Sequence, residues 1–462
     1  MGKNTRETPN APAGNLWLDQ ARATRVRFHV LALGCSLALL MYIHRQAFVR
    51  AMPEIKNDLD LNTEQMGYLA AAFLVAYGIF QVPCGLIGDR FGARNLLTIL
   101  VLGWSLLTGL ATLTGVVPMG VGWQFSFLLG LRILFGAFQA GGFPVWARVM
   151  ADWIPVSERG SGQGTIWMFS RVGGALSPFL FLWLFQYFGT WRTPLWVLAG
   201  LGLVWCAAFW PWFRNRPADM PQVNSAERAI IASGRVASVA PRGPVPWRKL
   251  LSSANVWSLC LMYGFVGFSG NFITNLLPLY LADTRKLTPE TTTWLAGLPL
   301  AFGVVSCLLG GFLSDFVSRY WGSRKWGRRL NASAGLALAG VALLAVPWAE
   351  STWLLALLLS ASFFFNDLNI GPAWAACADV GEHYAGTISG AMNMIGQFAG
   401  AAGMAMAGAM LHRGHAELLF LVFAGSYLLA AMCWFGVDVT KPISDGPDPA
   451  PALVNPALTP VR

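Results

Sequence analysis

Long apolar runs separated by short polar turns dominate this chain. A hydrocarbon core about 30 Å thick needs about 20 helical residues to cross it, and about twelve runs of that length can be counted. They begin near residues 28, 65, 95, 123, 160, 193, 254, 292, 330, 352, 384 and 416, six in each half. The pattern predicts an all-α membrane protein with twelve transmembrane helices.

One acidic turn occurs twice, far apart in the chain. Gly85 and Asp89 belong to the first copy, and Gly311 and Asp315 lie 226 residues further on. Internal duplication within apolar sequence is typical of secondary transporters. We therefore predict two six-helix pseudo-repeats. The same shift aligns a second set of residues, Gly160, Gly164, Met168, Gly174 and Ala175, with Gly386, Gly390, Met394, Gly400 and Ala401.

A polar, proline-interrupted segment separates the two halves and cannot cross a membrane. We predict an amino-terminal tail at 1–27, a first half at 28–213, a linker at 214–250, a second half at 251–437 and a tail at 438–462. Lysine and arginine concentrate before the first helix and in alternate loops. The positive-inside rule therefore places both termini in the cytoplasm, and we expect an integral protein of the plasma (inner) membrane.

Composition excludes several classes of function. The chain is 55% hydrophobic and only 12% charged, whereas soluble domains average about a quarter charged residues. Its net charge of +10 lies in the loops, and no basic cluster is interleaved with aromatic residues, so nucleic acid is not an expected partner. The seven cysteines and five histidines are scattered, which favours neither a metal site nor an enzyme.

The first acidic turn has the pattern Gly-x-x-x-Asp-Arg-x-Gly-x-Arg over residues 85–94. Between the second and third predicted helices, it resembles the signature loop of the major facilitator superfamily. Glycine lets helix ends approach closely, and an aspartate here can receive a helix N-terminus or a basic partner. We expect these residues to gate the transporter: Gly85, Asp89, Arg90, Gly92, Arg94 and Asp315.

Three further stretches narrow the resemblance. Residues 41–45 read Met-Tyr-Ile-His-Arg, residues 132–144 form a glycine-rich helix 4, and residues 367–396 cover helices 10 and 11. Together, across roughly residues 28–437, they resemble the anion:cation symporter family, whose members carry sugar acids and other organic anions. The resemblance implies a transporter with no cofactor beyond a coupling ion, which would be a proton.

Three arginines are predicted to lie within the bilayer, all in the amino-terminal half: Arg45, Arg132 and Arg171. Insertion of such a charge costs roughly 2.5–3.5 kcal/mol, so each needs a cavity, a partner or an anionic ligand. A guanidinium group fits a carboxylate with two parallel hydrogen bonds. These arginines therefore predict an anion site. Arg132 could instead hold helices together, and Arg171 could also have a structural role.

Helical periodicity places other polar and aromatic residues beside these arginines. Gln163, Trp167 and Arg171 share one stripe of helix 5, whereas Asn271 and Asn393 give the second half a neutral hydrogen-bonding face. Amides and aromatic faces suit sugar hydroxyls, although the tryptophans could simply pack. The predicted substrate-binding residues are Tyr42, Arg45, Tyr77, Arg132, Gln139, Gln163, Trp167, Arg171, Asn271, Trp374 and Asn393.

The coupling residues depart from the family pattern. Proton-coupled members of that family commonly have an aspartate before the helix 1 arginine and a glutamate in helix 4, where this chain has His44 and Gln139. Because glutamine cannot titrate, His44 and Asp367 are the candidates for proton coupling. Three alternatives stay open: a neutral, hydrogen-bonded His44, an Asp367 paired with a cavity arginine, and an Asp367 hydrated near the cytoplasmic mouth.

The predicted function is import of an organic anion, an acidic sugar such as a hexuronate, aldonate or aldarate, by alternating access in symport with a proton. Its expected partners are the small anion and the lipid bilayer, without an obligate protein partner. Export of apolar or cationic compounds is one alternative, and three buried arginines disfavour it. A transporter-like nutrient sensor is another. The helices are expected to flex at 141–144 and 371–372.

Overall fold

A computed structural model describes residues 22–116, 120–233, 245–277 and 280–443. The predicted tails and the middle of the predicted linker lie largely outside these ranges. Helices and no strands form across the described residues. Eleven stretches among them are long and apolar enough to cross a membrane.

The first half is a bundle whose helix ends follow local sequence signals. Asn62 begins the second helix by accepting a hydrogen bond from the backbone N–H of Gln65 at 2.8 Å, which satisfies an otherwise unpaired donor. Gly92 separates the second and third helices with φ of 85°. The helices are α1 (Val26–Asp58), α2 (Thr63–Phe91), α3 (Ala93–Ala111), α4 (Val121–Ala140), α5 (Gly142–Trp153), α6 (Arg159–Phe188) and α7 (Arg192–Trp212).

Two short helices of the linker precede the second half, which repeats the arrangement of the first. Serine or threonine caps begin several of its helices, as Ser253 does by accepting from the N–H of Val256. The helices are α8 (Ser225–Ala232), α9 (Trp247–Ser252), α10 (Ala254–Asn275), α11 (Pro289–Tyr320), α12 (Arg324–Leu344), α13 (Thr352–Asp367), α14 (Ile370–Gly381), α15 (Ala385–His412) and α16 (Ala416–Cys433).

The longest apolar stretch, Thr352–Leu411, has 60 residues and comprises two crossings. A single helix of that length would extend about 90 Å, three times the hydrocarbon thickness. The chain instead turns at Glu382–Tyr384, so that α14 and α15 pack against each other. Counted twice, this stretch brings the eleven candidates to the twelve predicted crossings.

The structure confirms the internal duplication. The helices α2 and α11 begin 226 residues apart, as do α6 and α15. Equivalent helices also pack alike: α1 on α6 and α10 on α15, α2 on α4 and α11 on α13, α3 on α7 and α12 on α16. Both halves break one crossing at the same repeat position, between α4 and α5 and between α13 and α14, close to the two predicted flexing points.

Both described chain ends lie on the same side of the molecule, which we call the terminal side. The start of α1 is tied to the start of α6, because Arg27 pairs with Glu158 at 3.1 Å. The other end reaches the end of α14, where the N–H of Ile443 donates to the carbonyl of Val380 at 2.9 Å. The turn between α2 and α3 belongs to this side too.

The linker helix α8 is bound to the start of α1 through one buried carboxylate. Glu227 accepts hydrogen bonds from the backbone N–H groups of Val26 and Arg27, at 2.9 and 3.0 Å, and from the hydroxyl of Thr24. Burial acts to raise the pKa of Glu227, but these hydrogen bonds outweigh it, so its pKa is lowered. The linker is therefore anchored to the first half.

Candidate functional site

A cavity of about 440 Å³ lies between the two halves, within the size range of small-molecule sites. The first half contributes wall residues from α1, α2 and α6, and the second half contributes them from α10, α11, α13, α14 and α15. Seven of the eleven predicted substrate residues line this wall: Tyr42, Arg45, Tyr77, Trp167, Arg171, Asn271 and Asn393.

Arg45 lies on the cavity wall inside a cage of aromatic rings. Its guanidinium carbon is 4.5 Å from the ring centroid of Tyr77, 5.1 Å from Tyr42 and 5.0 Å from Phe73. Its Nε donates to Oε1 of Gln139 at 3.3 Å. The buried Nη2 has no hydrogen-bond partner, and no carboxylate pairs with Arg45, among the residues described. The cage therefore positions a cation whose charge is not neutralised.

Gln139 supports Arg45 from behind the wall. It is fully buried, and its Nε2 donates to the carbonyl of Met41 at 3.0 Å. That bond orients the side-chain carbonyl towards Arg45. The structure thus places Gln139 as the group that holds the arginine, outside the lining of the cavity itself.

Arg171 and Asp367 connect the two halves through a two-pronged ion pair. Nε of Arg171 is 2.9 Å from Oδ2 of Asp367, and Nη2 is 3.0 Å from Oδ1. Asp367 also accepts from Nδ2 of Asn366 at 3.0 Å and lies 3.4 Å from the sulfur of Cys307. One of the alternatives left open for Asp367 was an ion pair with a cavity arginine, and the structure shows this pair.

Aromatic rings close the cavity towards the terminal side. Trp167 stacks on Phe143 with centroids 4.4 Å apart and contacts Trp374 at 5.4 Å. Trp374 is fully buried, and its indole N–H donates to the hydroxyl of Tyr263 at 3.2 Å. Trp374 therefore belongs to the group of rings that closes the cavity. It was predicted to line the wall, but it lies behind the wall instead.

The second half supplies neutral hydrogen-bonding groups to the wall. Asn393 accepts from Nε2 of Gln397 at 3.5 Å, and its buried Nδ2 has no partner among the described residues. Asn271 donates to the carbonyl of Gly267 at 2.9 Å. These amides face the arginine-bearing wall across the cavity, so a ligand here would meet cations on one side and amides on the other.

Besides Gln139 and Trp374, three further predicted residues lie away from the cavity wall: Arg132, His44 and Gln163. Arg132 is buried against the rings of Phe48, Phe73 and Phe135, with its guanidinium carbon 4.1 to 5.1 Å from their centroids. His44 is fully buried, with Nδ1 3.2 Å from the hydroxyl of Thr108.

Arg132 and His44 line a small pocket of their own, of about 10 Å³, which is room for about one water molecule. Gln163 is also buried, and its Nε2 has no partner within the described part of the chain. Sequence periodicity shows on which face of a helix a residue lies, but not which neighbouring helix covers that face. For this reason the sequence could not show that these three residues lie away from the wall.

Asp89 makes one of two equivalent contacts that hold the two halves of the molecule together. Its carboxylate accepts from the backbone N–H groups of Gly386 and Thr387, at 3.0 and 2.6 Å, and from the hydroxyl of Thr387 at 2.6 Å. These donors begin α15, where the helix dipole favours a negative charge. Asp89 therefore receives a helix N-terminus, as its place in the acidic turn predicts.

Asp315 makes the same contact in the duplicate. It accepts from the N–H groups of Gly160 and Ser161, at 3.1 and 2.6 Å, and from the Ser161 hydroxyl at 2.6 Å. The 226-residue shift relates Gly160 to Gly386 and Ser161 to Thr387. We use the word latch for these two carboxylates and the two helix N-termini that they bind.

A buried charge network reinforces the latch on one side only. Arg328 bonds to Asp315 at 2.8 Å and to Asp379 at 3.3 Å. Asp379 also pairs with Arg159 at 2.7 Å, across the two halves. Nearby, Arg148 donates to the carbonyl of Glu382 at 2.6 Å. Each charge is paired, which offsets its cost of burial.

The other residues of the acidic turn have separate roles. A Cβ on Gly85 would lie 2.3 Å from the carbonyl oxygen of Gly386, so only glycine allows α2 and α15 to approach this closely. Arg94 donates from Nε to the carbonyl of Trp210 at 2.7 Å. Arg90 is exposed, and its guanidinium lies 5.4 Å from the ring of Phe91. Gly92 allows the turn itself with its positive φ.

Hydrogen bonds between the halves concentrate on the terminal side. Apart from the Arg171–Asp367 pair, the hydrogen bonds that we identify between the halves in the described part of the chain involve the latch, Arg148, Arg159 or Arg328. At the opposite end, the wall includes the exposed residues Val75, Thr274 and Phe398. The cavity is therefore closed on the terminal side and open on the other.

Several residues of the site were missed from the sequence. Tyr263 and Asn366 line the cavity, and neither falls in a repeated motif. Arg148, Arg159 and Asp379 are charged residues within apolar sequence, and that alone marks a position that needs a partner. Across the described residues, no group of three or more histidine, cysteine, aspartate or glutamate side chains is arranged to hold a metal ion.

Comparison with known proteins gives one consistent result. The sequence profile described as Major Facilitator Superfamily matches residues 34–404. The chain is 29% identical to the probable sulfoacetate transporter SauU of Cupriavidus necator, over 94% of this chain and 99% of that protein. It is 25% identical to the probable galactarate/D-glucarate transporter GarP of Escherichia coli K12, over 91% and 96% of the two chains.

A solved structure has the same fold. It is the proton:xylose symporter XylE bound to 6-bromo-6-deoxy-D-glucose, which superimposes with a TM-score of 0.72 over 90% of this chain and 98% of that one. The sequences are only 13% identical, so this likeness concerns the fold alone. The twelve crossings and the duplicated halves agree with it.

Proposed function

The chain belongs to the Major Facilitator Superfamily, and we propose that it imports a small organic acid, an acidic sugar or a similar compound, in symport with a proton. One observation carries the proposal above all others. Arg45, which has no carboxylate partner among the described residues, presents its guanidinium to a cavity between the two halves. A cation held this way inside a membrane protein calls for an anionic ligand.

The rest of the wall supports a ligand with hydroxyl groups. Asn271, Asn393 and Gln397 offer amides opposite the arginines, and the rings of Tyr42 and Trp167 offer flat apolar faces. A sugar acid presents a carboxylate, several hydroxyls and an apolar edge. The relatives named for sulfoacetate and for galactarate and D-glucarate support acids as the substrate class.

The direction of transport follows from orientation. Arg90, Arg94, Arg214 and Arg228 lie on the terminal side, and basic loops face the cytoplasm by the positive-inside rule. The open end of the cavity would then face outwards, ready to take up substrate. Release to the cytoplasm requires the latch to open and the halves to rock about the cavity.

A proton is the proposed coupling ion, with Asp367 as its carrier. Asp367 is the carboxylate next to the cavity, and it is hydrogen-bonded to a wall arginine. His44 is a weaker candidate, since it lies in the separate small pocket beside Arg132. Protonation of Asp367 would release Arg171, and this would link the charge of the cavity to pH.

The test is a thermal-shift screen of the purified protein with matched pairs of compounds. D-galacturonate is compared with D-galactose, and D-gluconate with D-glucitol; sulfoacetate is added as a short acid. A ligand that binds the folded state at 100 times its Kd stabilises it by about 2.7 kcal/mol. We expect acids to raise the melting temperature and their neutral partners to leave it unchanged.

The variant Arg45→Lys should lose that stabilisation, whereas Arg90→Gln, which alters an exposed arginine outside the cavity, should keep it. Equal shifts by acids and neutral sugars would contradict the proposal. Stabilisation by apolar cations alone would favour the exporter instead.

A further inference from the structure

The charges around the cavity do not balance to zero. Arg45 and Arg171 are the charged residues of its lining, and Asp367 neutralises Arg171 from behind. Among the described residues, the cavity lining therefore has one uncompensated positive charge. Arg132 also has no carboxylate partner there, but the rings of Phe48, Phe73 and Phe135 enclose it away from the lining. One acid group on a ligand would neutralise the charge of the lining, and a second acid group would leave a net negative charge in a site surrounded by lipid.

Arg171 is accessible from the cavity, but its carboxylate partner is not. The Arg171 side chain is 14% exposed, whereas that of Asp367 is 0% exposed. Asp367 occupies Nε and Nη2 of the guanidinium. These two hydrogen bonds leave the third nitrogen, Nη1, on the side of the guanidinium away from Asp367, where a ligand can meet it.

The surroundings of Asp367 allow it to exist in a neutral form. Besides Arg171 on α6, the groups that face it are Cys307 on α11, at 3.4 Å, and Asn366 at 3.0 Å. The hydroxyls of Tyr42 on α1 and Tyr427 on α16 lie within electrostatic range. Among the described residues, Arg171 is the cation paired with Asp367, and the other groups that contact its carboxylate, Asn366 and Cys307, are neutral.

Both arginines line one cavity of about 440 Å³. Tyr42 lines it too, and the centroid of its ring lies 5.1 Å from the guanidinium carbon of Arg45. Arg45 has one free buried nitrogen, Nη2, and Nη1 of Arg171 lies on the side away from Asp367. A molecule with acid groups at its two ends could therefore contact Arg45 with one end and Arg171 with the other.

We propose that Arg171 is a second anion site, and that the second acid group of a two-acid substrate replaces Asp367 on it while Asp367 takes up one proton. This inference rests on the proposed function and specifies its substrate class as a dianion. Arg171 keeps its charge and exchanges one carboxylate for another. The proton adds to an Asp367 oxygen, so the filled cavity holds two cations and two anionic groups.

The exchange also explains how coupling survives without the carboxylates at positions 44 and 139. A substrate with one acid group binds Arg45 and leaves the Arg171–Asp367 pair intact, so it takes up no proton. A substrate with two acid groups needs the proton to neutralise the site, because an unpaired buried charge is costly. Proton uptake is therefore built into dianion binding.

The experiment compares galactarate with D-galactonate, which have the same carbon chain and differ by one terminal acid group. Binding to the purified full-length protein is measured by isothermal titration calorimetry in two buffers of different ionisation enthalpy, which counts protons taken up. We expect about one proton per galactarate and close to none per D-galactonate. Galactarate affinity should rise by up to tenfold per unit fall in pH, whereas D-galactonate affinity should stay constant.

Two isosteric variants sharpen the test. Asp367→Asn removes the competitor, so galactarate should bind more tightly at pH 7, without proton uptake, while D-galactonate affinity changes less than twofold. Asp58→Asn makes the same change in the Arg192–Asp58 pair outside the cavity and should behave as the wild type. If Asp367→Asn fails to fold, the number of protons taken up by the wild type still tests the exchange.

The outcomes separate this inference from the proposed function. D-galactonate binding combined with galactarate binding that takes up no proton would overturn the exchange and leave the acid transporter in place. Weaker binding of galactarate by a folded Asp367→Asn variant would also overturn the exchange and leave the acid transporter in place. If neither acid binds, the proposed substrate class itself is wrong, and the exchange falls with it.

Discussion

Oδ2 of Asp89 accepts two hydrogen bonds from Thr387, one from its backbone N–H and one from its hydroxyl, both at 2.6 Å. The two residues are 298 positions apart and belong to opposite halves. Asp315 and Ser161 repeat the relationship, so two symmetric contacts close the terminal side. Alternating access requires both contacts to break and re-form.

Loss of the Asp89 charge should loosen one half of the latch. In Asp89→Asn the N–H groups of Gly386 and Thr387 lose a charged acceptor, and hydrogen bonds to charged groups contribute about 1.5–3 kcal/mol. We expect these amides to exchange with deuterium roughly 10 to 100 times faster, as measured by mass spectrometry on peptides from the start of α15.

The exposed neighbour provides the control for that change. Arg90→Gln should leave exchange at the start of α15 unaltered, because Arg90 contacts the ring of Phe91 and not the other half. Unchanged exchange in Asp89→Asn would show that the carboxylate does not hold the latch.

Gly85→Ala should prevent close packing of α2 on α15. The added Cβ would lie 2.3 Å from the carbonyl oxygen of Gly386, and overpacking of this kind costs about 1–3 kcal/mol. Gly67 lies on the same helix with nothing within 4 Å of a Cβ built there, so Gly67→Ala is a matched control. We expect a lower melting temperature for Gly85→Ala alone, and equal melting of both variants would refute the close contact.

Arg45 and Arg132 should differ in their effect on ligand binding, although both were predicted to bind the substrate. Arg45 lines the cavity, whereas Arg132 is enclosed by Phe48, Phe73 and Phe135. Arg45→Lys keeps the charge but loses the planar fork, and binding of D-galacturonate should weaken by about 10 to 100 times, or about 1.4–2.8 kcal/mol.

Arg132→Lys should change that affinity by less than threefold, measured by calorimetry on both variants. An equal loss in the two variants would mean that Arg132 contacts the ligand in a state other than this one.

The Glu227 contact should make part of the stability depend on pH. Its pKa is lowered in the folded protein, from about 4.3 for a free glutamate. The stabilisation is therefore present above about pH 4.3 and is lost as the pH falls through the lower, folded value. Glu227→Gln should melt at a lower temperature than the wild type at pH 7, and the difference should shrink below about pH 4. A difference that persists there would assign the effect to packing.

Much of the fold could be predicted from sequence because the bilayer imposes it. Helix length follows from membrane thickness, and the 226-residue repeat fixed the relation between the halves. The latch was also predictable in kind, since Asp89 and Asp315 sit in equivalent turns, and the glycines that begin α6 and α15 follow the same shift.

The cavity could be predicted only in part, because it depends on which helix faces cover one another. Periodicity put Arg45, Arg132 and Arg171 inside the membrane but could not show that aromatic rings enclose Arg132. The Arg171–Asp367 pair joins residues 196 positions apart, and no repeat relates them. The charge network of Arg159, Arg328 and Asp379 spans both halves. The 226-residue shift relates none of these three to a charged residue, so the duplication carried no signal for it.

Uptake into proteoliposomes tests most directly whether Arg45 makes this cavity a carrier of acids. Radiolabelled D-galacturonate and D-galactose would be followed, each down its own concentration gradient, into vesicles that contain the wild type or Arg45→Lys. We expect the wild type to take up D-galacturonate but not D-galactose, and Arg45→Lys to take up neither. Uptake of both sugars by the wild type, or undiminished D-galacturonate uptake by a folded Arg45→Lys, would contradict the account.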